Sequence, residues 1–360
     1  MTAAIILGTR PEIIKMSPII RECERKGLDY FVVHSGQHYT YEMDRIFFEQ
    51  LELPEPNYNL STGPGSHAEQ TGKIMVGTEK IFLKERPNVV LVQGDTNTVL
   101  AGALAAKKLN IDVGHVEAGL RSYDRKMPEE INRVLTDHLS NYLFSPTDIS
   151  RRNLIREGIS DNIIFITGNT IVDAVHQNTE IAKRNAGILK KMNLNSKSYF
   201  LVTIHRQENV DNDKTLTSII DGLRSISRNY DYPIILPVHP RTSKKIKEMG
   251  LDLSDFTLID PVGFLDFLQI EANAKLVLTD SGGIQEETCI LGVPCVTLRD
   301  TTERPETIEV GSNILVGSKP SEIELGVERM LRNSNSWLNP FGNGDSGKKI
   351  INILVDFKYP

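Results

Sequence analysis

Two α/β domains, each an open and mostly parallel sheet with helices on both faces, are what this sequence predicts. Three observations carry that expectation. Strand-like and helix-like segments alternate almost from end to end. The strand-like runs are continuously apolar rather than alternating, as in strands covered on both faces. The chain has 360 residues, against roughly 150 per domain.

In chain order, apolar runs rich in β-branched residues occupy 3–7, 30–34, 89–93, 113–116, 142–144 and 163–166. They resume at 200–204, 234–237, 257–259, 276–279 and 295–298. A first helix follows the first run, with Pro11 at its start and Ile13, Met16, Ile20 and Cys23 on one face. Further helical periods cover 68–84, 98–108, 129–140, 213–228, 286–291 and 322–331, and a terminal amphipathic helix covers 347–357. A long helical stretch at 171–191 ends in the polar run 193–198 before a strand restarts at Phe200. The boundary is therefore set there, with domains at 1–170 and 171–345.

Composition narrows the function classes. Lys+Arg 41 against Asp+Glu 47 gives a net charge of −6, which offers no global attraction to nucleic acid or anionic membrane. No apolar run approaches the roughly 20 residues that span a bilayer, and the N-terminus lacks a basic signal region. Cys23, Cys289 and Cys295 are odd in number and show no CxxC spacing, which fits idle thiols in a reducing cytoplasm.

Ionisable and glycine-rich groups gather where the strands end, the side on which open parallel sheets bind ligands. Gly8-Thr9-Arg10-Pro11-Glu12 with Lys15, then Gly94-Asp95-Thr96 and Glu117, follow runs of the first half. His205-Arg206, His239 and Asp280-Ser281-Gly282-Gly283 follow runs of the second. Two such edges facing each other would make a cleft between domains. Ser281-Gly282-Gly283 reads either as an anion site at a helix N-terminus or as a plain tight turn. Arg10 and Lys15 are either a cationic cradle or solvated charge. Asp95 and Glu117 end apolar strands, where desolvation would ready one of them for proton transfer. Glu129 follows Pro128 and reads by itself as a first-turn acid paired with Arg133. His205 and His239 are either phosphate contacts or strand-end histidines. No histidine shows metal spacing, and no G-x-G-x-x-G follows the first strand, so neither a metal nor a nicotinamide is expected. The run from Gly342 to Lys349 nearly spells a P-loop but lacks the final Ser/Thr and a preceding strand.

The ordered motif set is more specific than any member. It runs Gly8-Thr-Arg-Pro-Glu12, Gln93-Gly-Asp-Thr96, His115-Val-Glu117-Ala-Gly-Leu-Arg121, Met127-Pro-Glu-Glu-Ile-Asn-Arg133 and Gly168-Asn-Thr170. It continues through His205-Arg206, Asp280-Ser-Gly-Gly-Ile-Gln-Glu-Glu287 and Arg299-Asp-Thr-Thr-Glu-Arg-Pro-Glu306. Over essentially its whole length the chain resembles the non-hydrolysing UDP-N-acetylglucosamine 2-epimerases, and most their archaeal members. The resemblance implies two Rossmann-like domains in the glycosyltransferase-B arrangement, with the active site in the interdomain cleft and the helix at 346–360 packing back on the first domain. It implies a cytoplasmic homodimer that interconverts UDP-GlcNAc and UDP-ManNAc, supplies UDP-ManNAc for surface polysaccharide or glycan synthesis, and needs no cofactor. UDP would be eliminated across C1–C2 to give a 2-acetamidoglucal and then re-added. By the same resemblance Asp95, Glu117 and Glu129, with His205, are the catalytic set. His205, Arg10, Lys15, Ser281, Gly282 and Gly283 hold the diphosphate, Glu287 accepts from the ribose hydroxyls, and Phe267 stacks on the uracil. Bacterial relatives have a Gln-His-Arg run in a regulatory substrate site; here it reads Gln37-His38-Tyr39. A glycosyltransferase of the same architecture, a hydrolysing 2-epimerase and a non-catalytic sugar-nucleotide sensor are the competing readings.

Overall fold

Uninterrupted apolar runs become strands because both of their faces are covered. The computed structural model describes residues 1–37, 41–184, 187–238, 240–334 and 336–356, so His38, Tyr39 and His239 lie outside the described residues. The chain divides into two units, Met1–Gln177 with Phe341–Pro360, and Asn178–Pro340. In the first unit lie β1 (Thr2–Leu7), β2 (Asp29–His34), β3 (Tyr58–Asn59), β4 (Val89–Gln93), β5 (Asp112–Val116), β6 (Tyr142–Ser145) and β7 (Ile164–Ile166). They pair in parallel in the order β3-β2-β1-β4-β5-β6-β7, with Leu7 beside His34 and Ile5 beside Leu91. The helices between them are α1 (Arg10–Lys26), α2 (Tyr41–Gln50), α3 (His67–Glu85), α4 (Asn97–Lys108), α5 (Pro128–Leu139) and α6 (Asp148–Arg156). Helix α7 (Thr170–Arg184) follows β7.

Helix α1 shows why its sequence is helical. Thr9 and Glu12 form a capping box, Pro11 sits in the first turn, and Gly27 ends the helix in the left-handed region at φ 61°. Ile13, Met16, Ile20 and Cys23 are all buried.

The second unit repeats the plan. It contains α8 (Ile188–Lys191), β8 (Phe200–Thr203), α9 (Gln207–Val210), α10 (Asp213–Asn229), β9 (Ile234–Pro237), α11 (Pro240–Glu248), β10 (Thr257–Ile259), α12 (Phe264–Asn273) and β11 (Leu276–Thr279). Then come α13 (Gly282–Leu291), β12 (Cys295–Thr297), α14 (Pro305–Glu309), β13 (Asn313–Leu315) and α15 (Pro320–Leu331). The sheet order is β10-β9-β8-β11-β12-β13, again all parallel. Phe200 and Val202 enter one apolar cluster while Tyr199 and Leu201 enter another, so successive residues of one strand are buried on opposite faces.

The last helix, α16 (Ser346–Asp356), belongs to the first unit. Asp173 of α7 accepts the backbone N–H groups of Ser346 (3.1 Å) and Gly347 (3.0 Å) at its N-terminus. A Cβ on Gly347 would lie 3.0 Å from the Pro18 carbonyl, so glycine there lets α16 approach α1 closely.

Three expectations are corrected. The stretch 171–191 is not one helix: α7 is described over Thr170–Arg184, and Gly187 is the N-cap of a separate turn, α8. Helix α13 begins at Gly282 rather than 286, because Ser281-Gly282-Gly283 forms its N-cap and first turn. The strands β3 and β13, at the edges of their sheets, were not anticipated. Among the described residues no helix is long and apolar enough to cross a membrane.

In both units strand order reverses beside the first strand of the sheet. The switch points fall between β1 and β4, and between β8 and β11. Open parallel sheets leave a crevice there, beyond the carboxyl ends of the strands.

Candidate active site

The first unit places its acids at that switch point. Gly94, at φ 83°, turns the chain out of β4, and Thr96 caps α4 with its hydroxyl, accepting from the Val99 N–H at 3.4 Å. Asp95 is held between them. Beyond β5, Glu117 sits at φ 71°, a left-handed conformation that costs a non-glycine residue energy and is typical of functional turns. Its N–H and that of Ala118 both donate to the Phe144 carbonyl, 3.1 Å each. Two residues on, a Cβ on Gly119 would fall 2.3 Å from the Ser150 carbonyl oxygen, so only glycine fits.

Lys15, one turn into α1, donates to Glu117 Oε1 at 2.6 Å, with both side chains nearly buried. Asn169 donates to the same oxygen at 3.2 Å, and Gln93 donates to Oε2. This arrangement favours the ionised Glu117 carboxylate and fixes its direction. Asp95 is in a different environment. Its Oδ2 accepts from Arg133 at 2.5 Å. The surrounding protein raises its carboxyl above the usual range; Arg133 opposes this, and the Glu117 and Glu129 charges add to it. Glu129 itself is exposed at the start of α5. Its neighbour Glu130 has the structural role, accepting from the Ser122 and Tyr123 N–H groups at 2.9 and 3.0 Å and pairing with Arg133 at 3.1 Å.

Behind these acids lies a buried network that supports both turns. His115 meets Asp137 Oδ1 at 2.6 Å through Nδ1 and the Gly94 carbonyl at 2.8 Å through Nε2. Asp137 also pairs with Arg121 at 2.7 Å and accepts from the Gly119 N–H at 3.2 Å. Glu12 binds the Gly8 turn from inside, accepting from the Gly8 N–H (2.6 Å), the Thr9 N–H (2.9 Å) and the Thr96 hydroxyl (2.5 Å). Arg10 projects over the Phe47 ring, 5.4 Å from its centroid.

In the second unit the organising group is Asp280, fully buried after β11. It accepts from the N–H groups of His205 (3.1 Å) and Arg206 (3.0 Å) and from the Asn209 amide (3.1 Å). His205 Nδ1 lies 3.0 Å from Asp280 Oδ1, with the imidazole 51% exposed. Burial alone would raise the Asp280 carboxyl, but the His205 imidazole and the amides hold it below its ordinary range. A ring anchored through Nδ1 keeps Nε2 for a ligand. Beside it, Ser281 is the N-cap of α13 and makes no side-chain cap. Cβ atoms built on Gly282 and Gly283 would find nothing nearer than 3.7 and 3.9 Å, so there is room beside the first turn of this helix, whose N–H groups have no partner within the helix. Arg206 and Glu303 bracket Gly282, and Arg299 holds Glu303 at 3.0 Å through both oxygens. One turn into α13 stands Glu287, half-buried, and Phe267 of α12 packs in the cluster that contains Ile284.

Among the described residues no group of three or more His, Cys, Asp or Glu could hold a metal ion.

The model of the family described as UDP-N-acetylglucosamine 2-epimerase matches residues 21–355. The chain belongs to this family. Among similar epimerases, one from Methanocaldococcus jannaschii is 58% identical over the full length of both chains. Another, from Methanococcus maripaludis, is 57% identical over 99% of each. A crystal structure of the M. jannaschii epimerase in complex with UDP-GlcNAc and UDP superimposes with a TM-score of 0.90, covering 99% of this chain and 100% of that one.

Within this epimerase chain the structure brings Lys15, Asp95 and Glu117 together in the first unit, with Glu129 close enough to act on Asp95. In the second it gathers His205, Ser281, Gly282 and Gly283 around Asp280. Lys15 has a carboxylate as its partner rather than standing as an open cation. The sequence places Gln93, Asn169 and Asp280 in its motifs but assigns them no role; the roles follow from contacts with Glu117 and His205 that only the fold creates.

Proposed function

We propose that the chain reversibly epimerises C2 of UDP-GlcNAc to give UDP-ManNAc. The observation that carries this reading is the pair of unlike carboxyl groups on one switch point. Glu117 is paired with Lys15, whereas Asp95 is paired with Arg133 and has its carboxyl raised above the usual range by burial. Two acids in unlike environments are what removing a proton from one face of C2 and returning one to the other calls for. No carbonyl adjoins C2, so direct abstraction there is very difficult. In the proposed sequence a carboxylate takes the C2 proton, the C2–H electron pair forms the C1–C2 double bond, and the C1–O bond breaks to release UDP. A proton delivered to C2 from the opposite face, with re-addition of UDP at C1, completes the inversion. Glu129 is the third member of this acid/base set. His205, Arg10, Lys15, Ser281 and the N–H groups of Gly282 and Gly283 hold the departing diphosphate, whose charge grows as the bond breaks. Glu287 accepts from the ribose, and Phe267 stacks on the uracil.

The test is proton NMR of the purified chain with UDP-GlcNAc in D2O, without added metal, cofactor or acceptor. UDP-ManNAc carrying deuterium at C2 is the expected product. Free ManNAc would mean a hydrolysing enzyme, and turnover only with an added acceptor would mean a transferase. Asp95→Asn and Glu117→Gln are expected to lower kcat by on the order of 10²–10⁴ while calorimetric UDP affinity stays near wild type. Full rates in both variants would remove these acids from the mechanism.

We place the working enzyme in a reducing cytoplasm, in line with three buried free cysteines, and as a homodimer. For the dimer contact we favour the α3 and α5 faces, where Val76, Leu83, Ile131 and Leu135 are 47–58% exposed.

A further inference from the structure

Helices α12 and α13 carry a pair of acids of which only one is explained by ligand binding. Glu271 lies on α12 one turn beyond Phe267 and is fully buried. Its neighbours Ile270 and Ala274 belong to an apolar cluster with Val277 and Val293. Neither carboxyl oxygen meets an N–H or hydroxyl donor among the described residues. The polar group it does meet is the Glu287 carboxyl on α13, with which it shares a hydrogen bond. Two carboxylates cannot make that bond; one must keep a proton. Burial and the Glu287 charge both push the Glu271 carboxyl well above the ordinary range, so the buried member keeps it. The half-buried Glu287 remains the carboxylate.

We propose that Glu271 is a positioning residue whose O–H donates to one side of the Glu287 carboxylate, aiming its remaining lone pairs at the two hydroxyls of a uridine ribose. The proposal rests on the reading of Glu287 as the ribose acceptor. A glutamate side chain left to itself samples several rotamers and loses that freedom when it binds. A donor behind it removes that cost in advance, and because the donor is neutral it adds no second charge to repel the first. Phe267 and Glu271, at i and i+4 on one face of α12, would then set the base and, through Glu287, the sugar of the same nucleoside.

Calorimetry on the full chain with UDP and with 2′,3′-dideoxy-UDP tests this. The wild type is expected to prefer UDP. Glu271→Leu should narrow that preference on the order of tenfold by weakening UDP binding alone, leaving dideoxy-UDP affinity unchanged. Glu271→Gln, whose amide can still donate to Glu287, should keep the wild-type preference. A general loss of structure would weaken both ligands equally and could not be rescued by glutamine. Full preference retained in Glu271→Leu, or glutamine behaving as leucine does, would overturn the proposal. A wild type indifferent to the ribose hydroxyls would instead overturn the assignment of Glu287.

Discussion

Glu117 stands in a backbone conformation that its side chain does not favour, and it is held there by three donors from three different segments, Lys15, Gln93 and Asn169. Glu12 presents the opposite problem, an acid buried away from solvent. Burial raises its carboxyl to about 7 from 4.5, against the pull of its hydrogen bonds from Thr96, Gly8 and Thr9. The sign follows from which state holds the proton. The folded chain keeps it up to about 7, whereas the unfolded chain releases it near 4.5. The stability contributed by protonated Glu12 is therefore complete below the lower value and is lost as pH rises through the upper one. Its share of that loss is at most roughly 3 kcal/mol. Urea midpoints recorded across this window should fall in the wild type and fall less in Glu12→Gln. Equal slopes would show that Glu12 does not titrate there.

In the proposed reading helix α13 binds the diphosphate through its backbone, and its two glycines matter for what they leave out. Gly282→Ala has room in the unliganded fold, since its Cβ would come no closer than 3.7 Å to any neighbour. The added methyl would occupy the space that an anion needs in order to reach the helix N–H groups. The melting temperature should therefore stay within a degree or two, while UDP affinity falls roughly tenfold or more. Unchanged affinity would move the diphosphate elsewhere. The same helix shows where the sequence was legible and where it was not. An abrupt change from apolar to ionisable residues marks a strand end, and Asp95, Glu117 and His205 were each visible that way. Ser281-Gly282-Gly283 read equally as a helix N-terminus or as a plain tight turn, because glycine disfavours helix, and the structure makes them the N-cap and first residues of α13. Strand β3 has only two residues, too short to read as an apolar run. The pairs Lys15–Glu117 and Glu271–Glu287 exist only through tertiary packing, the first across 102 positions of chain.

At the scale of the whole molecule, the exposed apolar residues of α3 and α5 bear on assembly. If the chain pairs through these faces, as proposed, Leu135→Asp on α5 should shift it from dimer to monomer by light scattering, weakening association by roughly 1.5–3 kcal/mol for a fully covered leucine. A dimer of unaltered strength would place the contact on another face. Unit 1 has a further property, in that it is assembled from two separated stretches of chain, with Asp173 and Pro18 waiting for α16. The ribosome makes α16 only after all of unit 2. A nascent chain therefore carries its seven-stranded sheet with the α16-facing side of α1 uncovered while unit 2 is synthesised and free to fold. The half that carries Asp95 and Glu117, begun first, is thus the half completed last.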